Sequence, residues 1–168
     1  AAFTKVEEQS LSFAQERLWF IEKYEEGTNA YNIPMVFSIS SNASIDILES
    51  SIKSIVARHE ILRTLIKEDN RGNGYQLILD DKEFPLEIIK INIIDQLQLE
   101  EELEKSVHHI YDLGNEYPIR VCLYELISSN AKDTPKYYLS IVIHHIAFDG
   151  WSTDIFLKEL QAYYSYYL

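Results

Sequence analysis

The sequence predicts a mixed α/β (or α+β) domain in which a β-sheet is flanked by helices. Segments with apolar residues at helical spacing alternate along the chain with segments that alternate in the manner of strands. Two segments, 119–127 and 137–143, are apolar on both alternating faces, which is typical of central strands covered on both sides. The length of 168 residues fits one domain with its own core.

The first half of the chain is predicted to form two helices, a strand and a hairpin. Ser12 and Gln15 have the spacing of a capping box, and the helix that they begin runs through Glu22. Ser44 can cap a second helix that ends near residues 58–60. The remaining elements are a strand at 35–39, an extended segment at 61–66, a turn at 70–74 and a strand at 75–79. The apolar residues on the two helices are Ala14, Leu18 and Ile21 on the first, and Ile45, Leu48, Ile52 and Ile55 on the second.

The second half is predicted to continue the same alternation. A strand is expected at 86–91, followed by a helix that Asp95 and Gln98 begin and that extends to Ile110. A polar loop at 128–135 joins the two central strands. Ser152 can cap the last helix. That helix carries Phe156, Leu160, Tyr163 and Tyr167 along one side.

Composition excludes several classes of function. The net charge of -12 disfavours nucleic acid and anionic membranes as partners. Cys122 is the single cysteine, so no internal disulfide can form and a reducing cytoplasm fits. No apolar stretch has the length of a transmembrane helix, and the N-terminus lacks the pattern of a secretion signal.

The most informative segment follows the second central strand, where His144 and His145 precede Asp149 and Gly150. Imidazoles at the end of an apolar strand are costly to bury unless they are hydrogen-bonded or functional. Since neighbouring strand residues point to opposite faces, one ring should face a cavity while the other packs. An imidazole suits base or hydrogen-bond chemistry on an amine or hydroxyl near neutral pH. The pattern therefore indicates an acyl-transfer enzyme.

Two other interpretations of the histidines are weighed against this one. Both rings can be core residues, with Asp149 as a helix cap. Metal binding is not expected, because no second cluster has ligand spacing and the pair His108 and His109 is placed within a helix.

Three motifs together resemble those of nonribosomal peptide synthetase condensation domains. Residues 144–152 (HHIAFDGWS) resemble the HHxxxDG motif, which chloramphenicol acetyltransferase and other acyltransferases share. Residues 11–20 (LSFAQERLWF) resemble the opening motif SxAQxRLWxL of condensation domains. Residues 58–64 (RHEILRT) resemble their RHExLRT motif. The order and separation of the three make the resemblance specific.

The resemblance implies a fold and an extent. Condensation domains have two lobes related to chloramphenicol acetyltransferase, with the active site in a tunnel between them. Residues 1–168 would be the N-terminal lobe, and the C-terminal lobe would be absent from this sequence. The lobe alone is expected to be inactive or nearly so.

The resemblance also implies an activity. The amine of a carrier-bound aminoacyl thioester would attack a donor aminoacyl or peptidyl thioester, and an amide would form. Both substrates would be held on phosphopantetheine arms of upstream and downstream peptidyl carrier proteins, with no directly bound cofactor.

The resemblance assigns roles to residues of the three motifs. His145 would be the catalytic histidine, grouped in one motif with His144, a structural Asp149 and Gly150 beside the tunnel. Whether His145 removes the amine's proton or positions the amine and stabilises the tetrahedral intermediate stays open. Arg58 and Arg63 would be structural partners, and either could pair with Asp149. Trp151 and Ser152 would lie in the tunnel.

Two alternative functions remain open at this point. The chain could be a coenzyme A-dependent acetyltransferase of the chloramphenicol type, although the two other motifs argue against it. It could also be a non-catalytic lobe that docks carrier proteins or serves a structural purpose.

Overall fold

The computed structural model describes residues 6–24, 31–127, 134–148 and 153–168. In these ranges the chain forms four α-helices, seven strands and two 3-10 turns. The helices are α1 (Phe13–Tyr24), α2 (Ile45–Arg58), α3 (Gln96–Val107) and α4 (Thr153–Tyr167). The strands are β1 (Val6–Ser10), β2 (Asn32–Ile39), β3 (Thr64–Glu68), β4 (Gly74–Leu79), β5 (Ile88–Ile93), β6 (Ile119–Leu126) and β7 (Lys136–His144). The 3-10 turns are Glu60–Arg63 and His145–Ala147.

The larger sheet has the strand order β2-β7-β6-β5, so β6 and β7 are central, as their two apolar faces predict. Strand β5 pairs with β6 in parallel, whereas the other two pairings are antiparallel. Helix α3 packs through Leu99 against Cys122 and Tyr124 on one face. Ile52 of α2 and Phe156 of α4 belong to the main core cluster on the other face. The mixed fold class is therefore confirmed.

The smaller sheet is antiparallel, with the order β1-β4-β3, and it positions α1. The predicted turn at 70–74 joins β3 to β4, and Gly72 adopts a φ of 81° there, a conformation that favours glycine. A Cβ atom at Gly74 would lie 2.8 Å from Cδ1 of Leu11 and 3.1 Å from ring carbons of Trp19. The absence of a side chain at Gly74 thus lets α1 approach the start of β4 closely.

Three predicted helix caps are confirmed. The Ser12 N–H donates to Oε1 of Gln15 at 2.9 Å, and the Gln15 N–H donates to Oγ of Ser12 at 3.1 Å, which completes the capping box. The Ser44 hydroxyl accepts from the Ile47 N–H at 3.3 Å. The Asp95 carboxylate accepts from the Gln98 N–H at 2.8 Å. Local side-chain spacing therefore fixes where α1, α2 and α3 begin.

Several sequence-based expectations about element boundaries were wrong. Residues 61–63 belong to a 3-10 turn that buries Leu62, whereas an extended segment was predicted. Helix α3 ends at Val107, where the Asn32 side chain donates to the carbonyls of Val107 and His109, at 3.2 and 2.7 Å. His108 and His109 therefore lie beyond the helix, and strand β1 was not predicted.

Two further expectations fall outside the described residues. These are the cap at Ser152 and most of the loop at 128–135. Among the described helices, none is both long and apolar enough to cross a bilayer.

A substitution in α4 tests the main core. Phe156 is fully buried, so Phe156→Ala should lower the free energy of unfolding by about 3–5 kcal/mol. Phe13→Ala is the matched control, since Phe13 is 86% exposed and its loss should change stability by about 0.5 kcal/mol or less. Urea unfolding followed by circular dichroism measures both. Equal effects of the two substitutions would contradict this packing of α4.

Candidate active site

The site is built where β7 ends. The strand stops at His144, and residues 145–147 form a 3-10 turn that changes the direction of the chain. His144 is 1% exposed, whereas His145 is exposed to solvent. The predicted division into one packed and one cavity-facing ring is confirmed, although the turn contributes to it as well as strand alternation.

His144 is held by hydrogen bonds on both ring nitrogens. Its Nδ1 accepts from the Ile146 N–H at 3.0 Å, so the hydrogen of the ring lies on Nε2. Nε2 donates to Oε1 of Glu22 on α1 at 2.6 Å. Its backbone N–H donates to the Pro118 carbonyl at 2.8 Å. A buried imidazole with these partners has both nitrogens satisfied and is fixed in orientation.

Tyr111 packs against the same ring. Its aromatic ring meets His144 edge-on, with centroids 5.8 Å apart and planes at 90°. Its hydroxyl donates to the Val142 carbonyl at 2.5 Å. Burial is the main cause that raises the pKa of Tyr111 above its ordinary value, and the nearby Glu116 raises it further. Tyr111 therefore stays protonated and packs as a buried phenol against the His144 ring.

His145 opens into a cleft of about 350 Å³ between its own turn and α1. Its backbone N–H donates to the Tyr31 carbonyl at 2.7 Å, which ties the turn to the residue before β2. The α1 residues that line the cleft are Phe13, Ala14, Gln15, Arg17, Leu18 and Ile21. The apolar side of α1 that the sequence indicated thus forms a wall of the cleft, with Ala14 exposed to it.

The cleft has polar as well as apolar lining residues. Among the described residues, the polar ones are Gln15, Arg17, Tyr31 and His145. Such a lining suits proton transfer and hydrogen bonding to groups that the substrates bring. In the described part of the chain, no three His, Cys, Asp or Glu side chains are grouped to hold a metal ion.

The two predicted support arginines lie at the end of α2 and in the turn that follows it. Arg58 is largely exposed, with Nη1 3.6 Å from a carboxylate oxygen of Glu159 on α4. Arg63 donates to the Leu79 carbonyl at 2.6 Å and to the Ala57 carbonyl at 3.3 Å. Arg63 thus joins the helix end to the end of β4.

Four predicted site residues lie outside the described residues. They are Asp149, Gly150, Trp151 and Ser152. The pairing of Asp149 with an arginine therefore stays a prediction.

Glu22, Tyr111 and Tyr31 were not predicted to be parts of the site. Glu22 carried a usable signal, because it lies one helical turn after Leu18, on the apolar side of the predicted helix. A carboxylate at such a position needs a buried partner. Tyr31 contributes a backbone carbonyl, for which a side-chain pattern gives no signal.

Comparisons with known proteins agree on one family. The family model described as "Condensation domain" matches residues 5–167. The N-(5-amino-5-carboxypentanoyl)-L-cysteinyl-D-valine synthase of Amycolatopsis lactamdurans is 37% identical over 159 residues, which are 95% of this chain and 4% of that protein. The dimodular nonribosomal peptide synthase of Bacillus subtilis is 33% identical over 156 residues, which are 92% of this chain and 6% of that protein. The chain thus spans a small part of these relatives.

Solved structures show the same fold. The X-domain from teicoplanin biosynthesis superimposes with a TM-score of 0.77 at 27% identity, over 97% of this chain and 33% of that one. The starter condensation domain of rhizomide synthetase gives a TM-score of 0.76 at 15% identity, over 95% of this chain and 39% of that one.

The buried phenol of Tyr111 predicts a dependence of stability on pH. The pKa of Tyr111 in the folded protein is above the ordinary value of about 10. The contribution of the protonated phenol to the free energy of unfolding is therefore complete below pH 10 and is lost as the pH rises further. Well above pH 10, wild type should lose stability more steeply than Tyr111→Phe, by about 1.4 kcal/mol per pH unit.

Urea unfolding between pH 8 and pH 11 measures this difference. Other tyrosines with raised pKa values, such as Tyr117 at about 12, contribute equally to both proteins and cancel. Tyr166→Phe is the control, because Tyr166 is 80% exposed. Parallel curves for wild type and Tyr111→Phe would refute the assignment.

Proposed function

Since this chain belongs to the condensation domain family, we propose that it is the N-terminal lobe of a two-lobe domain that forms peptide bonds between carrier-bound substrates. Nearly the whole chain aligns with only 33% of the X-domain chain and 39% of the starter condensation domain chain. These shares support the proposal that the chain is one lobe of a larger unit. The three motifs and the peptide synthetase relatives support the reaction. Catalysis by this lobe then requires the second lobe to complete the tunnel.

The single observation that carries the proposal is the exposed ring of His145 in the cleft, beside a His144 that is fixed from behind. In the reaction, the amine nitrogen of the acceptor attacks the carbonyl carbon of the donor thioester. A C–N bond forms, the C–S bond breaks, and the phosphopantetheine thiol leaves with the proton that the amine gives up. His145 either accepts that proton or positions the amine and stabilises the tetrahedral intermediate.

The other predicted site residues have supporting roles in this proposal. His144 orients the turn that carries His145 and does not contact substrate, because it is buried. Asp149 and Gly150 complete the motif, and Trp151 and Ser152 line the tunnel beyond it. Arg58 and Arg63 maintain the end of α2, where Arg63 already bonds two carbonyls.

The proposed partners follow from the reaction. Upstream and downstream peptidyl carrier proteins present the donor and acceptor on phosphopantetheine arms, and the domain itself holds no cofactor. We place the reaction in the cytoplasm. Relatives named as peptide synthetases favour this function over a coenzyme A-dependent acetyltransferase or a purely structural lobe.

His145→Ala tests the catalytic assignment. In the complete domain with loaded carriers, we expect at least a 100-fold loss of peptide formation, about the contribution of a proton-transferring group. Mass spectrometry of the carrier-bound product measures the rate. Because the ring is exposed, the midpoint of urea unfolding should stay at its wild-type value. His108→Ala removes another exposed histidine and serves as the control. An unimpaired His145→Ala protein would contradict the assignment.

Ala14→Trp tests whether the cleft is used. Ala14 faces the cleft and is exposed, so an indole there should occupy substrate space without disturbing the core. We expect slower peptide formation with unchanged stability. Ser50→Trp, on an exposed position of α2, adds a similar volume elsewhere and should have no effect on the rate. Equal rates for the two variants would show that substrates do not enter this cleft.

A further inference from the structure

Glu22 is a carboxylate with little exposed surface that borders a cavity. Its side chain is 10% exposed, and Oε1 lies 2.6 Å from Nε2 of His144, whose side chain is 1% exposed. Removing a carboxylate from water is costly, and a short hydrogen bond to a buried donor offsets part of that cost. A surface salt bridge would leave both groups exposed, so this geometry indicates a specific role.

Two contacts favour the same tautomer of His144, the Glu22 carboxylate at Nε2 and the Ile146 N–H at Nδ1. While Glu22 accepts from Nε2, the ring hydrogen of His144 is held there and Nδ1 keeps its lone pair. That lone pair accepts from the Ile146 N–H at 3.0 Å. If the hydrogen moved to Nδ1, two donors would face each other across this contact. The Glu22 carboxylate thus favours the same tautomer as the Ile146 N–H, and as a charged acceptor it makes the stronger of the two contacts.

The turn in question carries His145. Its backbone is fixed on one side by the Tyr31 carbonyl, 2.7 Å from the His145 N–H. On the other side, the Phe148 N–H donates to the His145 carbonyl at 3.0 Å. The Ile146 bond to His144 lies between these two contacts. The orientation of the exposed His145 ring thus depends on a backbone that the His144 side chain helps to fix.

The same helix connects this support to the cleft. Ile21 and Leu18 line the cleft opposite His145, and the neighbouring Glu22 binds His144. On its other side, Glu22 faces a second cavity of about 410 Å³. The charged residues that line this second cavity with Glu22 are Lys23, Lys67, Glu68 and Asp112. Glu22 therefore links α1, which lines the cleft, to the buried ring of His144.

We propose that Glu22 is a positioning residue for His145, acting through the tautomer of His144 and the backbone turn, without contacting substrate. This role deepens the proposed function. The effect of Glu22 on the reaction rate depends on that function, whereas the effect of Glu22 on the His144 ring does not.

The test compares Glu22→Leu, which removes the acceptor, with Glu22→Gln, which keeps an acceptor oxygen of the same reach. In the complete domain labelled with ¹⁵N-histidine, ring nitrogen shifts report the tautomer of His144. Wild type and Glu22→Gln should carry the hydrogen on Nε2, and Glu22→Leu should lose this preference. We expect kcat of Glu22→Leu to fall about 10- to 100-fold with little change in KM, and Glu22→Gln to recover most of it.

Glu16→Leu, an exposed position on the same helix, is the matched control and should leave both readouts at their wild-type values. The proposal is overturned if Glu22→Leu keeps the Nε2 tautomer or the wild-type kcat. If His145→Ala is fully active while the tautomer responds to Glu22, the proposed function fails and the positioning of the ring stands. Should Glu22→Leu not fold, Glu22→Asp withdraws the carboxylate by one methylene and is measured in the same way.

Discussion

The hydrogen bond between Glu22 and His144 is the interaction on which the site depends. It joins α1, which belongs to the N-terminal part of the chain, to the end of β7, more than a hundred residues later. Because His144 is buried, its ring cannot exchange this partner for water at low cost. The bond therefore links the two walls of the cleft, which are α1 on one side and the 3-10 turn of residues 145–147 on the other.

The larger sheet provides the rigid frame for this junction. Its central strands are covered by α3 on one face and by α2 and α4 on the other, so β7 has little freedom to move. His144, the last residue of β7, lies at the edge of these packed layers. The abrupt change from a buried strand to an exposed turn places His144 inside the protein and His145 at its surface.

Much of the fold could be predicted, because its signals are local. Ser12 with Gln15, and Asp95 with Gln98, mark helix starts through hydrogen bonds that span three residues. The apolar periods of α2 and β7 likewise follow from neighbouring positions. The misses arise from distant contacts. Asn32, which begins β2, binds the carbonyls at the end of α3. Leu62 packs in the core, and the segment that was expected to be extended there forms a 3-10 turn.

The sequence by itself determined the fold class, the central strands and the family, and it predicted His145 as the working histidine. These follow from spacing and motif, which are properties of consecutive residues. Only the tertiary structure decided which groups hold His144, that the side of α1 with Ala14 faces a cleft, and where Arg58 and Arg63 bind. The physical reason is that a buried polar group is satisfied by whichever partner the packing brings within hydrogen-bonding distance, and that partner can lie anywhere along the chain.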